Sequence, residues 1–254
     1  MECQITDADG KVIRTFKRKA VLGVNRTAWD LRRDAFKEPS RGDEPRWFEP
    51  AGPEVLPGPY GVTIKYKDKE AKGTVEVLAD PRFQIARADR EAKWNTMLHA
   101  GAVQETLTEA IERIRSTRVD IDVVSKKVKE ASKDAKPEEK SEGPSPLAKT
   151  GQELKDALTA LEKRLWIPPD TKGYVAETDP MSKIQNVMWF LTSSWDAPTP
   201  AQMDYLREAE GLTEKMLAEF NQLFATRVAD YRKQVEQAGI ALLPVKEPLN
   251  LKKE

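Results

Sequence analysis

Asn25-Arg26-Thr27-Ala28-Trp29-Asp30-Leu31-Arg32, followed after a polar insertion by Gly52-Pro53-Glu54-Val55-Leu56-Pro57-Gly58-Pro59-Tyr60-Gly61-Val62, is the stretch that decides the fold. Thr27, Trp29 and Leu31 alternate with their neighbours, which predicts a strand with one buried face. The Pro-Gly run predicts a tight turn, and Tyr60, Val62, Ile64 and Tyr66 then alternate along the strand it feeds. An indole-bearing strand, a turn and a Tyr-x-Val strand together point to a small β-sandwich.

The same pattern extends to either side. Cys3 and Ile5, then Val12 and Ile13, flank Asp7-Ala8-Asp9-Gly10, where Asp-Gly supplies the positive φ of a hairpin turn. Residues 34–50 are rich in charge, Pro and Gly and carry no periodicity, so they read as an insertion. A turn near Lys69 to Gly73 precedes a last strand from Thr74 to Leu78. The total is about five strands, against about seven in an Ig-type sandwich. Because only four residues precede Ile5, the first strand is expected to lack a neighbour, and a partner strand is expected to complete the sheet.

Beyond Asp80-Pro81-Arg82 the strand pattern gives way to helices. Leu107, Ile114, Ile121 and Val128 recur every seventh residue, interleaved with Val103, Ala110, Thr117 and Val124, which predicts one long helix from about residue 88 to 132. Gly101 inside it costs roughly 1 kcal/mol relative to Ala without breaking it. Residues 133–149 contain three prolines among lysines and glutamates and read as a flexible connection. Thr150-x-x-Glu153 reads as a capping box for a second helix, striped by Leu154, Leu158, Leu161 and Leu165 and ended by Pro168-Pro169. Asp179-Pro180 and Thr199-Pro200-Ala201-Gln202 open two more. The last carries Met203, Leu206, Leu217, Phe220, Phe224, Val228, Tyr231 and Val235 and stops near Gly239. Its length matches the first helix, so the two are expected to pair in an antiparallel bundle. The expected organisation is a sandwich over residues 1–80 and a helical bundle over 81–254.

Composition narrows function. The 42 basic and 42 acidic residues cancel, which argues against a broad phosphate-binding surface. Cys3 is the single cysteine, so an internal disulfide or cysteine-rich metal site is excluded. The sequence holds no run of about 18 apolar residues for a membrane helix and no basic-then-apolar leader at its start. Phosphate-loop, His-Glu-x-x-His and Gly-x-Ser-x-Gly motifs are absent. His99, the single histidine, has no legible partner and reads as a structural or solvent-facing residue. Asp7-x-Asp9-Gly10 lacks the final acidic ligand of a calcium loop and reads as a hairpin. Asn25-Arg26-Thr27 fits a glycosylation sequon, but packing explains it better: Trp29 fills the core while Arg26 or Arg32 braces the sheet edge. No catalytic residue, cofactor or metal ligand is assigned.

Three strings carry a resemblance. They are Ile5-x-Asp7-x-Asp9-Gly10-Lys11-Val12-Ile13-Arg14-Thr15-Phe16, Gly23-x-Asn25-Arg26-x-x-Trp29-Asp30-Leu31-Arg32 and Gly52-Pro53-x-Val55-x-Pro57-Gly58-x-Tyr60, followed by Asp80-Pro81-Arg82 and Asp196-Ala197-Pro198-Thr199-Pro200-Ala201-Gln202. In these the chain resembles the C-terminal region of large bacterial exported proteins with sortilin-type, neuraminidase-repeat β-propellers, many of them labelled glycosyl hydrolases. There a propeller is followed by an Ig-like domain and a helical bundle. The propeller is missing here. The resemblance implies an α+β multidomain chain and a noncatalytic accessory role in an extracytoplasmic assembly, docked to a β-propeller domain or subunit that supplies the missing strand. Asn25, Arg26, Trp29, Asp30, Arg32, Gly58 and Tyr60 form the structural motif. Trp47 and Phe48 in the insertion, with Cys3 and Ile5 on the first strand, are the contact candidates. Trp94, Trp166, Trp189 and Trp195 are expected in the bundle core or the joint between domains. Two rivals remain open. A carbohydrate-binding module needs a row of exposed aromatics on one face. A glycoside hydrolase needs two carboxylates roughly 5–9 Å apart in a pocket.

Overall fold

The computed structural model describes residues 1–39, 51–134, 146–167, 171 and 178–240. Trp47, Phe48, Pro168 and Pro169 lie outside them. Six strands precede the helices: β1 (Glu2–Thr6), β2 (Val12–Lys17), β3 (Arg32–Asp34), β4 (Ala51–Glu54), β5 (Gly58–Tyr66) and β6 (Lys69–Val77). Four form an antiparallel sheet in the order β2-β1-β5-β6, and β3 pairs with β4 as a separate two-stranded ribbon.

The Asp7–Gly10 hairpin forms as its residues dictate. Asp7 Oδ1 accepts the Asp9 and Lys11 amides, and Gly10 takes φ +78°. The second hairpin turns earlier than its sequence suggested. Tyr66 pairs with Lys69, Lys67 sits at φ +53°, and β6 runs straight through Gly73.

Two expectations for the sheet are corrected. The first strand is not short of neighbours, because β1 pairs with β2 on one side and β5 on the other. Cys3 and Ile5, each 1% exposed, are interior residues rather than contact residues. The outer strands of the four-stranded sheet are β2 and β6. Residues 27–31 are not a strand either. Asp30 Oδ1 accepts the Arg32 amide at 3.2 Å, and Leu31 turns into the left-handed region at φ +57°, so extended pairing begins only at Arg32.

Residues opposite one another in an antiparallel ladder share a face. Cys3 faces Phe16 and Ile64, Ile5 faces Arg14 and Val62, and Tyr60 faces Val75, so these side chains make one surface. Cys3, Ile5 and Phe16 form its buried centre, with Ile13, Trp29, Tyr60 and Val62 packed around them. Glu2, Gln4, Thr15, Lys17, Thr63, Lys65, Lys72 and Glu76 fall on the other, polar face.

The helices are α1 (Arg87–Asp134), α2 (Pro146–Leu165), α3 (Pro180–Thr192), α4 (Pro200–Leu223) and α5 (Ala229–Gln237), with a π-helical turn over Phe224–Val228 joining α4 to α5. They share one core, including Leu107, Ile111, Ile114 and Ile121 of α1, Leu154, Leu158 and Leu165 of α2, Ile184 and Leu191 of α3, and Leu206 and Phe220 of α4. The two start signals act as read. Asp179 accepts the Ser182 amide, and Thr199 with Gln202 completes a reciprocal capping box. The one expected at Thr150 does not cap. Helix α2 starts at Pro146, inside the expected loop, and Thr150 Oγ1 donates back to the Pro146 carbonyl. Trp195 lies beyond the end of α3.

Helix direction also departs from expectation. Thr96 meets Met203 and His99 meets Glu210, so α1 and α4 ascend together. It is α2 and α3 that run the other way. Arg115 and Arg118 hold Glu162 while Asp122 holds Lys155, and Lys183 holds Glu208 while Gln202 reaches back to Phe190. The two long helices are thus parallel, bridged by two shorter antiparallel ones.

The strand region is fastened to α1 by the segment after β3. The Lys37 carbonyl accepts from Gln104 Nε2 at 3.0 Å and from Thr108 Oγ1 at 3.1 Å, and the Lys37 amide donates to Glu105. Gln104 and Thr108 are buried, so these bonds satisfy polar groups that would otherwise be costly inside α1.

Candidate functional site

The motif around Trp29 resolves into a set of braces. Trp29 Nε1 donates to the Arg32 carbonyl at 2.8 Å, and its ring meets Tyr60 edge-on at 5.3 Å between centroids. Asp30 and Asp34 both pair with Arg14, whose side chain is nearly buried. Asp34 also accepts the Thr15 amide on the β2 edge. Arg32 pairs with Glu54 across the ribbon at 3.1 Å. Tyr60 donates its hydroxyl to the Leu56 carbonyl at 2.7 Å, and burial together with the nearby Asp7 charge pushes its pKa up. Gly58 opens β5 at φ +150°, and Arg26 is exposed. Arg14 escaped the sequence reading, although its place two residues before Phe16 puts it on the inward face.

Asn25 has a different task from the one its sequon suggests. Its side chain accepts the Val21 amide and donates to the Val21 and Gly23 carbonyls, each bond within 3.0 Å. The loop it closes holds Val21, Leu22 and Val24 in solvent. A second exposed apolar surface lies on the sheet. Ile64 (36% exposed) and Tyr66 (48%) on β5, with Val75 (41%) beside Tyr60 on β6, leave this part of the apolar face open. Large apolar side chains grouped in this way mark interaction surfaces more often than scattered ones do.

A cleft lies where the strands meet the helices. One wall is the link from β4 to β5, with Val55, Leu56 and Pro57; the other is Trp94 and Met97 of α1 with Trp195 beyond α3. It holds about 130 Å³ and opens into a wider groove bounded by Phe36, Gln185 and Trp189. Trp195 is fixed from behind by Phe83, at 4.8 Å between centroids. Arg32, Glu54, Arg90 and Lys93 supply its charge. Lys93 Nζ donates to the Ser194 carbonyl, and burial lowers its pKa against the opposing pull of Glu54 and Asp196. Glu54 is the one carboxylate among the described lining residues, so the paired acids of a glycosidase are not assembled there. Trp94 and Trp195 stand at the joint between strands and helices, as expected, but the residues that meet them there were not legible, since the walls come from four separated segments.

The remaining tryptophans divide. Trp166 is buried under Arg115, whereas Trp189 is 66% exposed and does not belong to the core. His99 bridges α1 to Glu210 of α4 on the surface. No cluster of three or more His, Cys, Asp or Glu side chains suited to a metal occurs among the described residues, and no described helix is long and apolar enough to cross a membrane. Comparison of the chain with protein-family models, curated proteins and solved structures returned no match.

Proposed function

We propose that the chain is a noncatalytic accessory module that docks a partner protein through surface burial. The single observation carrying this reading is the open apolar half of the sheet face, Ile64, Tyr66 and Val75, beside a covered half centred on Ile5. A sheet exposing apolar side chains on the face that elsewhere forms its core is one layer of a two-layer unit. The second layer is read as coming from the partner, which makes the strand region half of an Ig-like β-sandwich, with the helical bundle as its rigid support. The partner is a β-propeller domain or subunit of an extracytoplasmic assembly, as the resemblance implies. The loop that Asn25 closes adds a preformed apolar projection, and preformed contacts lose less entropy on binding.

The test is association with a β-propeller polypeptide of the family the chain resembles, measured by sedimentation of the two purified proteins. A complex that Ile64→Lys with Val75→Lys weakens, while leaving the melting transition of the isolated chain in place, is the expected result. Absence of any complex, or one indifferent to both substitutions, removes the docking role. Saturable binding of the isolated chain to a glycan array would favour the carbohydrate-binding reading instead.

A further inference from the structure

The cleft between the strands and the helices has the composition of a ligand site, and docking through the sheet face does not use it. Its walls mix apolar and aromatic side chains with charged ones, and its charge is unbalanced. Arg32 is occupied by Glu54, and these two cancel. Arg90 gives one long bond, 3.3 Å, to the Phe83 carbonyl, leaving most of its guanidinium donors unspent among the described residues. Lys93 spends one donor on the Ser194 carbonyl, with Glu54 and then Asp196 near enough to attract it. Counting Arg32, Arg90 and Lys93 against Glu54 and Asp196 leaves one positive charge facing the cleft. Such a cavity favours a single anion whose body is apolar.

Size fixes the class further. A volume of about 130 Å³ is close to the roughly 150 Å³ of an apolar cavity that admits one benzene ring. Trp94 and Trp195 line the cleft, and Phe83 packs against the second of them. A guanidinium beside an ammonium matches a carboxylate, since charge-assisted bonds are about twice as strong as neutral ones.

We infer that this cleft binds a small organic monocarboxylate with an apolar or aromatic body, the carboxylate held by Arg90 and Lys93 and the body seated between Trp94 and Trp195. The probe is benzoate, with benzamide as its neutral counterpart of the same shape, titrated into the full chain. Indole N–H resonances are followed by NMR and assigned with Trp94→Phe and Trp195→Phe. Benzoate is expected to shift both indoles saturably. Binding should be at least about tenfold weaker for benzamide, and similarly weakened by Arg90→Gln or Lys93→Met. Equal binding of benzamide, a linear non-saturating response, or affinity unchanged in both charge variants overturns the site. If a variant fails to fold, the benzoate-to-benzamide ratio on the unaltered chain decides alone. Neither result depends on whether a protein partner docks on the sheet.

Discussion

The Phe36 ring fills the space that a side chain at Gly101 would take: a Cβ built on Gly101 would lie 2.1 Å from both Cε1 and Cζ of that ring. Glycine in mid-helix sacrifices about 1 kcal/mol of helix propensity, and here it provides a socket that locks the segment after β3 onto α1. The substitution Gly101→Ala should therefore destabilise the protein by about 1–3 kcal/mol through overpacking. In a Phe36→Ala background the same change should stabilise it by up to about 1 kcal/mol. Urea unfolding of the four chains measures this, and one sign in both backgrounds would show that the ring is not docked there.

Arg14 places a second test on the strand region. Its side chain is 7% exposed while those of Asp30 and Asp34 are 44% and 50% exposed, so the arginine depends on the two acids more than they depend on it. Asp34 also accepts the Thr15 amide. Replacing Asp34 by Ala should cost about 1.5–3 kcal/mol, the range for hydrogen bonds to a charged group, and more than Asp30→Ala. Chemical denaturation ranks the two variants, and the reverse order would assign the main brace to Asp30.

How much of this was legible follows from where each signal is stored. Helix starts are local, and Asp179, Thr199 and Gln202 cap as their spacing says. The leucine stripe of α2 is likewise periodic and buried. Direction is not local: an apolar stripe reads the same way up or down, so the parallel course of α1 and α4 stayed hidden until Thr96–Met203 and His99–Glu210 were seen. Thr27, Trp29 and Leu31 mimic a strand because two-residue spacing also arises by chance in a braced loop. Asp30 capturing the Arg32 amide is what decides between them. The place of β1 between β2 and β5 needed a pairing across more than fifty residues of sequence, which no window of periodicity contains. The cleft's opposite wall was hidden for the same reason, although Trp94 and Trp195 stand at the joint between strands and helices.

The two halves of the sheet face should respond differently to truncation. Ile5 is 1% exposed and Ile64 is 36% exposed although both lie on the same face. Ile5→Ala should cost about 2–5 kcal/mol, whereas Ile64→Thr in the isolated chain should fall within about 0.5 kcal/mol, as surface changes do. Thermal melts read both. A large loss at Ile64 would mean that this half is covered within the chain, and the docking surface would have to be sought elsewhere.

Acid should break the Asp80–Arg82 pair in the link between β6 and α1. The Arg82 side chain binds this carboxylate most strongly, with Nη2 at 2.6 Å, and the Arg82 amide adds a bond at 2.9 Å. Together they lower the Asp80 pKa from 3.8 to about 2. Because the folded value lies below the unfolded one, the unfolded chain takes up the proton first. The pair's contribution is therefore present in full above the unfolded value and disappears as pH falls through the folded one. The carboxyl carbon of Asp80, followed by NMR, should titrate with a midpoint of about 2 and move back toward the ordinary aspartate range in Arg82→Gln. A midpoint already in the ordinary range for the unaltered chain would show that the two side chains do not meet in solution.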